Sequence, residues 1–291
     1  MTVRSLLAYG VERFEQAGIS YGHGTTNALD EAAWLILYAL GLPPHDLNAH
    51  LDEPLSPARA RAAKSLLDRR VRSRKPAAYL IHEAWLGPHR FYVDERVIVP
   101  RSYIAELLRE WPPAPVASVL DLCTGSGCLA ILAALKYPSA KVDAAELSAD
   151  ALQVAKKNVA DYKLERRVRL VKSDLFAALE GRTYDLIVSN PPYVKAASMA
   201  KLPEEYRKEP RMALASGTDG LAHTRAILAQ AREHLNPGGR LVVEIGHNRK
   251  ALERAYPKLP FEWPATSGGK GYVFGLARED LPSRTSPRSP R

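Results

Sequence analysis

Apolar residues recur at helical spacing near the start of the chain and gather into short strand-length runs, separated by helices, from residue 118 onward. Ser5 through Ala17 predicts one helix. Asn27-Ala28-Leu29-Asp30-Glu31 opens a second, which runs through Trp34 and Leu37 to Gly41. Ser56-Pro57 starts a third, a serine N-cap followed by proline at the first helical position, and it carries Leu66, Leu67 and Val71. Residues 83–99 place Trp85, Phe91, Tyr92 and alternating Val97 and Val99 around Gly87-Pro88, which predicts a hairpin linker. Buried strands are predicted over 118–122, 141–145, 168–171, 184–189, 240–245 and 271–276, with helices at 128–137 and 220–234 between them. Asn236-Pro237-Gly238-Gly239 reads as the turn into the fifth, and 195–217 as an irregular, charged flap facing a substrate. Strands alternating with helices and closing in a late hairpin give an α/β, doubly wound fold behind a small helical domain.

Length supports that division. At 291 residues the chain exceeds a usual single domain, so the expected parts are a helical docking domain (1–82), the linker (83–99), a catalytic domain (100–279) and a tail (280–291). No apolar run approaches the ~18 residues of a membrane span. Met1-Thr2-Val3-Arg4-Ser5 leads into an amphipathic helix carrying Glu12, Arg13 and Glu15, so no signal peptide is visible and a cytoplasmic protein is expected. Cys123 and Cys128, with no histidine nearby, make no zinc site and read as reduced structural thiols; no metal is expected. His23, His45 and His50 are scattered and read as surface or packing residues.

The formal net charge is +9. Part of it lies in the tail, where Arg284, Arg288 and Arg291 sit among Pro and Ser in a segment expected to be disordered. Basic runs also occur at Arg69-Arg70, Arg72, Arg74-Lys75 and Arg166-Arg167. They read either as solvated surface or as attraction to a substrate embedded in RNA, such as an assembling ribosomal particle. No aromatics interleave with them, so autonomous single-strand binding is not supported.

Candidate chemistry gathers where the predicted strands end. Cys123-Thr124-Gly125-Ser126-Gly127 follows Asp121-Leu122 at a strand-to-helix turn, where glycines let backbone approach a ligand closely. The spacing also fits a dinucleotide fingerprint, so the loop alone leaves the adenosine cofactor open. Glu146, about 20 residues on, stands where an acid takes ribose hydroxyls. Asp174 is placed to accept from an adenine amine, with Leu175 on the purine face. The bland alternative for both acids is a solvated carboxylate at a strand end. Asn190-Pro191-Pro192-Tyr193 closes the set. Two prolines remove two N–H donors and leave carbonyls free, Asn190 adds an acceptor, and Tyr193 adds a flat ring. A planar NH2 group would find two acceptors and a stacking face there. The bland alternative is an ordinary Asn-Pro turn.

Glycine loop, ribose acid, adenine acid and Asn-Pro-Pro-Tyr, in this order, resemble the class I S-adenosylmethionine-dependent methyltransferases that act on amino groups. Pro76-Ala77-Ala78-Tyr79-Leu80 and the segment Tyr92 through Arg101 resemble the protein-glutamine N5-methyltransferases. Val99-Pro100-Arg101-Ser102 and Asp121-Leu122-Cys123-Thr124-Gly125-Ser126-Gly127 resemble the branch acting on the third protein of the large ribosomal subunit, rather than the release-factor branch. The resemblance implies a seven-stranded methyltransferase sheet and S-adenosylmethionine as cofactor, held by Asp121, Cys123, Thr124, Gly125, Ser126, Gly127, Glu146, Asp174, Leu175 and Asn190. It implies that the Asn190 side-chain oxygen and the Pro191 carbonyl take the two protons of a glutamine amide while Tyr193 holds its plane. Two rivals stay open. An adenine-N6 nucleic-acid methyltransferase uses the same tetrapeptide, and a dinucleotide oxidoreductase explains the loop but leaves the tetrapeptide idle. A non-enzymatic ribosome-binding module would predict decay in the loop, and none is seen.

Overall fold

The computed structural model describes residues 1–44, 46–111 and 115–283, so His45 and the arginines of the tail lie outside the described residues. The front of the chain is helical: α1 (Val3–Gln16), α2 (Ala28–Leu40), α3 (Leu47–His50), α4 (Pro57–Ser73) and α5 (Ala77–Ile81). Local signals set the ends. Asn27 caps α2 by accepting from Asp30 N–H, Gly41 closes it in the left-handed region, and Ser56 with Pro57 starts α4. The apolar stripes of α1, α2 and α4 meet in one core around Leu6, Phe14, Leu35, Ile36 and Leu67. The linker folds as the hairpin β1 (Ala84–Leu86) and β2 (His89–Phe91) across Gly87-Pro88. Val97 and Val99 are buried but belong to no strand.

The remaining elements are α6 (Tyr103–Glu110), β3 (Ser118–Leu122), α7 (Cys128–Lys136), β4 (Lys141–Glu146), α8 (Ala149–Asp161), β5 (Val168–Lys172), β6 (Tyr184–Ser189), α9 (Ala196–Met199), α10 (Ala222–Gln230), β7 (Leu235–Glu244), α11 (Arg249–Ala255), β8 (Ala265–Thr266), β9 (Gly269–Lys270) and β10 (Val273–Ala277). The sheet runs β10-β7-β6-β3-β4-β5, all parallel except β10. Two apolar cores pack on it, one around Ile131 and Val142, the other around Ile187, Leu228 and Phe274. The doubly wound fold expected from the sequence is therefore present, but with six strands rather than seven among the described residues. Where a seventh would lie, a single residue pairs: Glu262 and Gly275 exchange backbone hydrogen bonds of 3.0 and 2.8 Å. Pro260 and Pro264 flank that pair and cannot donate to a longer ladder. Asn236-Pro237-Gly238-Gly239 also departs from expectation, lying inside β7 as an irregular opening where the register to β6 shifts between Tyr184 and Leu186. Order extends past Asp280, since Leu281 is buried in the second core.

Two readings of charge need correcting. Arg70 and Arg74 are not part of a solvated basic run: Arg70 is fully buried and pairs with Glu31 at 2.7 Å, and Arg74 pairs with Glu205 at 2.8 Å. The segment 195–217 is irregular, as expected, but it is not simply a flap. Its Glu205 and Glu209 are buried against the helical domain, and the Tyr206 hydroxyl donates to Tyr21 O at 3.2 Å. His23 is likewise buried there, 3.5 Å from Glu209, while His50 pairs with Glu53 nearer the surface. A buried charge without a partner is costly, so these groups hold one another in a seam that staples the two parts together. Arg70→Ala should leave the buried Glu31 without its cationic partner and Glu205 with Arg74 alone, and urea unfolding should show a loss of about 3–5 kcal/mol. A loss in the range of an exposed pair, under about 1 kcal/mol, would mean the seam is not a staple.

Candidate active site

Adjacent strands β6, β3, β4 and β5 bring every sequence-selected segment to one edge of the sheet, at its carboxyl ends. The loop after β3 is pinned on all sides. Thr124 N–H donates to Ala145 O at 3.1 Å, Gly125 N–H donates to a Glu146 carboxylate oxygen at 2.9 Å, and Asn158 on α8 donates to Ser126 O at 2.8 Å. Gly127 lies so near α8 that a Cβ there would come 3.2 Å from the Ala155 Cβ. Gly125, at φ +55°, faces open space instead. Cys123 takes a left-handed φ of +59°, a conformation that costs a side-chain-bearing residue roughly 1–2 kcal/mol. Burial pushes its thiol well above the usual range, so it is no nucleophile at neutral pH.

Acids surround this loop. Asp121 is fully buried; one of its oxygens accepts from the Thr124 hydroxyl and from Ala130 N–H at 3.0 Å, and the other has no partner among the described residues. Burial raises its carboxyl to about 7. Glu146 is half-buried, with Leu147 half-exposed beside it. Asp174 is exposed on a tight turn in which Leu175 has φ +46° and the Ser173 hydroxyl donates to Leu175 O. His223, at the start of α10, faces the same turn. Its imidazole is held below its ordinary value by burial, against the pull of Asp174.

The tetrapeptide stands beside the loop. Pro191 and Pro192 are buried, Asn190 and Tyr193 half-buried. Asn190 Nδ2 donates to Arg101 O at 3.4 Å, which leaves its Oδ1 pointing away from that partner. Among the described residues no donor reaches Asn190 Oδ1 or the Pro191 carbonyl, so the corner holds two idle acceptors. The Tyr193 ring is pressed on Gly246, where a Cβ would come within 2.7 Å, and Tyr193 O accepts from Asn248 at 2.8 Å. Burial, then the nearby Glu244, keep its phenol protonated. A cavity of about 1240 Å³ opens on this side, lined by Asn190, Pro191, Tyr193, Arg101, Tyr103 and Glu244, and not by the glycine loop. The corner thus separates a wide cavity from the acidic crevice.

Two family models match the chain: the PrmC N-terminal domain over residues 5–81 and the methyltransferase small domain over 105–219. A ribosomal protein uL3 glutamine methyltransferase of Neisseria meningitidis serogroup B is 57% identical over 286 residues, covering 96% of this chain and 94% of that protein. The chain belongs to this family of glutamine methyltransferases. A relative of the same name from Burkholderia pseudomallei is 51% identical over 97% of this chain and 96% of its own length. Among solved structures, the hMettl16 catalytic domain in complex with an RNA hairpin aligns with a TM-score of 0.50 at 15% identity, covering 76% of this chain and 81% of that one; the likeness is one of fold.

S-adenosylmethionine is the methyl donor of this glutamine methyltransferase, and the crevice suits it. Ala130 N–H, one of the amide groups in the first turn of α7 that an anion could use, is already taken by Asp121. The acids Glu146 and Asp174 beside the loop would repel a pyrophosphate but favour a donor carrying a sulfonium and an ammonium. The partnerless Asp121 oxygen is the kind of buried acceptor such a ligand satisfies.

Sequence reasoning missed the groups beneath the corner: Glu244 at the end of β7, Gly246 and Asn248 just after it, and the pair Arg101–Glu209. The signal was present for Glu244, an acid at the carboxyl end of a predicted strand. One Glu244 oxygen accepts from the Ser102 hydroxyl at 2.7 Å and from Tyr103 N–H at 3.0 Å, and burial raises its carboxyl from 4.5 to about 7. Glu209 goes the other way. Burial works against its charge, but Arg101 outweighs it and holds the carboxyl down at about 2. The signs differ accordingly. Between pH 4.5 and about 7 the folded protein keeps a proton on Glu244 that the unfolded chain has lost, so stability falls as pH rises through that window. The Glu209 contribution is complete above 4.5 and is lost as pH drops towards about 2. Glu244→Gln should flatten the decline in melting temperature from pH 4.5 to 7 in calorimetry; an unaltered slope would place Glu244 near its ordinary value.

Proposed function

We propose that this chain methylates the side-chain amide nitrogen (N5) of a glutamine in ribosomal protein uL3, the activity named for its 57%-identical relative. The observation that carries the reading is the pair of idle acceptors, Asn190 Oδ1 and Pro191 O, on a corner without competing donors. An amide nitrogen is a weak nucleophile because its lone pair is shared with the carbonyl. Asn190 and Pro191 take its two protons, which fixes the NH2 plane and draws positive charge off the nitrogen as the new bond forms. Tyr193, backed by Gly246, holds the plane from one side. S-adenosylmethionine supplies an electrophilic methyl when bound in the crevice of Asp121, Cys123, Thr124, Gly125, Ser126, Gly127, Glu146, Asp174 and Leu175. Leu147, half-exposed next to Glu146, adds an apolar face there. Alignment of this kind is worth roughly 7–11 kcal/mol in favourable cases. No separate base is required, since the proton can pass to water after transfer.

Residues 1–82 act as the docking domain for the protein substrate, 83–99 as the linker and 100–279 as the catalytic domain. A cavity of about 1240 Å³ is far larger than one glutamine side chain and leaves room for flanking polypeptide. The net charge of +9 supports a substrate met within an assembling particle, with weak RNA contact through surface that excludes Arg70 and Arg74. A ribosomal substrate supports a cytoplasmic location for the protein. Among the described residues no helix is long and apolar enough to cross a membrane.

Two substitutions separate the roles. Asn190→Ala should keep donor affinity in calorimetry while turnover on uL3 drops by about 100-fold or more, as for loss of one preorganised group. Near-parental turnover would remove Asn190 from the mechanism. Glu146→Ala should instead weaken donor affinity, since Gly125 N–H in the loop, Ser148 N–H after β4 and the ribose hydroxyls lose a shared acceptor; unchanged affinity would reject that assignment.

A further inference from the structure

Glu209 sits where the helical domain, the 195–217 segment and the catalytic corner converge. Its carboxylate receives both Arg101 terminal nitrogens at 2.6 Å and also Val99 N–H at 2.9 Å. One acid therefore clamps Val99-Pro100-Arg101 at both ends, and Pro100 stiffens the middle. The carbonyl of that segment, Arg101 O, is the one partner of the Asn190 side-chain amide among the described residues. An Asn amide rotated by half a turn would aim NH2 at the substrate, setting donor against donor. Which way Asn190 faces thus follows Arg101, and where Arg101 lies follows Glu209.

The same carboxylate looks back to the helical domain. His23 Nε2 stands 3.5 Å away, and both residues are buried. Tyr206 fills the space between: its ring is 4.2 Å from the His23 ring and lies under the Arg101 guanidinium at 5.5 Å. Its hydroxyl leaves no room for a side chain at Gly22, where a Cβ would fall 2.1 Å from it. Glu209 lines neither the large cavity nor the glycine loop.

We propose that Glu209 is a positioning residue for methyl transfer: through Arg101 it fixes the carbonyl that orients Asn190, and it couples that orientation to the docked state of the helical domain. The proposal rests on the reading that Asn190 Oδ1 takes an amide proton. Glu205 is the built-in control. It is equally buried in the same segment and paired with Arg70 and Arg74, but it makes no contact with Arg101.

The test compares Glu209→Gln with Glu205→Gln by steady-state kinetics on purified uL3, by calorimetric binding of S-adenosylhomocysteine, and by the side-chain amide resonance of Asn190, assigned through its loss in Asn190→Ala. Glu209→Gln is expected to lose at least about ten-fold in kcat, with KM and product affinity within about two-fold. The Asn190 resonance should move. Glu205→Gln should lower thermal stability yet keep kcat and the resonance. Parental kcat in Glu209→Gln, or equal losses in both variants, would overturn the proposal. Should Glu209→Gln fail to fold, Arg101→Lys, which keeps the charge but gives up the two-pronged pairing, reads the same link: kcat falls with KM steady, or the link is absent. The resonance also distinguishes this idea from the functional one. It moves with Glu209 even if Asn190→Ala proves fully active, in which case the amide-gripping role fails and the coupling stands.

Discussion

Methylating a carboxamide asks for acceptors with nothing else to accept, because any protein donor nearby would occupy them before a substrate arrived. On the reading proposed above, the corner after β6 meets this by subtraction. Proline at 191 and 192 deletes two N–H groups, Asn190 directs its own amide donor at Arg101 O, and Asn248 spends its donor on Tyr193 O. Everything around the corner then serves to stop it turning: the Gly246 backbone behind Tyr193, Asn248 on its carbonyl, and the charge seam on the far side.

That seam explains an arrangement that would otherwise be wasteful. Burying ion pairs is often no better than burying well-packed apolar residues, so their stabilising value is small. Their directional value is larger. Glu205 meets Arg70 and Arg74 across the boundary, and Glu209 meets His23 there, contacts that favour one placement of the helical domain on the sheet where an apolar interface could slide. The helical domain is thereby held in register with the Arg101 carbonyl, which the Asn190 side chain contacts.

The sequence made local features readable and left distant partnerships hidden. Strand ends at Leu122, Glu146 and Ser189 matched the apolar runs, and the caps Asn27 and Ser56 marked their helices, because each depends on neighbours within a few positions. The same locality let four strand-end segments be chosen as one site. Arg70 misled because composition shows charge but not a partner 39 positions away, and Glu209 was passed over because its meaning comes from Arg101, 108 positions earlier. The missing seventh strand was a matter of count carried over from resemblance, whereas Pro260 and Pro264 were there to argue against a full ladder.

Those two prolines have a further effect on how the molecule behaves in a crowded solution. A sheet's outermost strand offers a row of unpaired backbone groups onto which another chain can stack. Here one border is capped by a rung only one residue long, bracketed by rings that cannot donate, and the opposite border, β5, carries Arg169 and Lys172. Both rims thus carry features that discourage edge-to-edge stacking of strands, the step from which fibres grow.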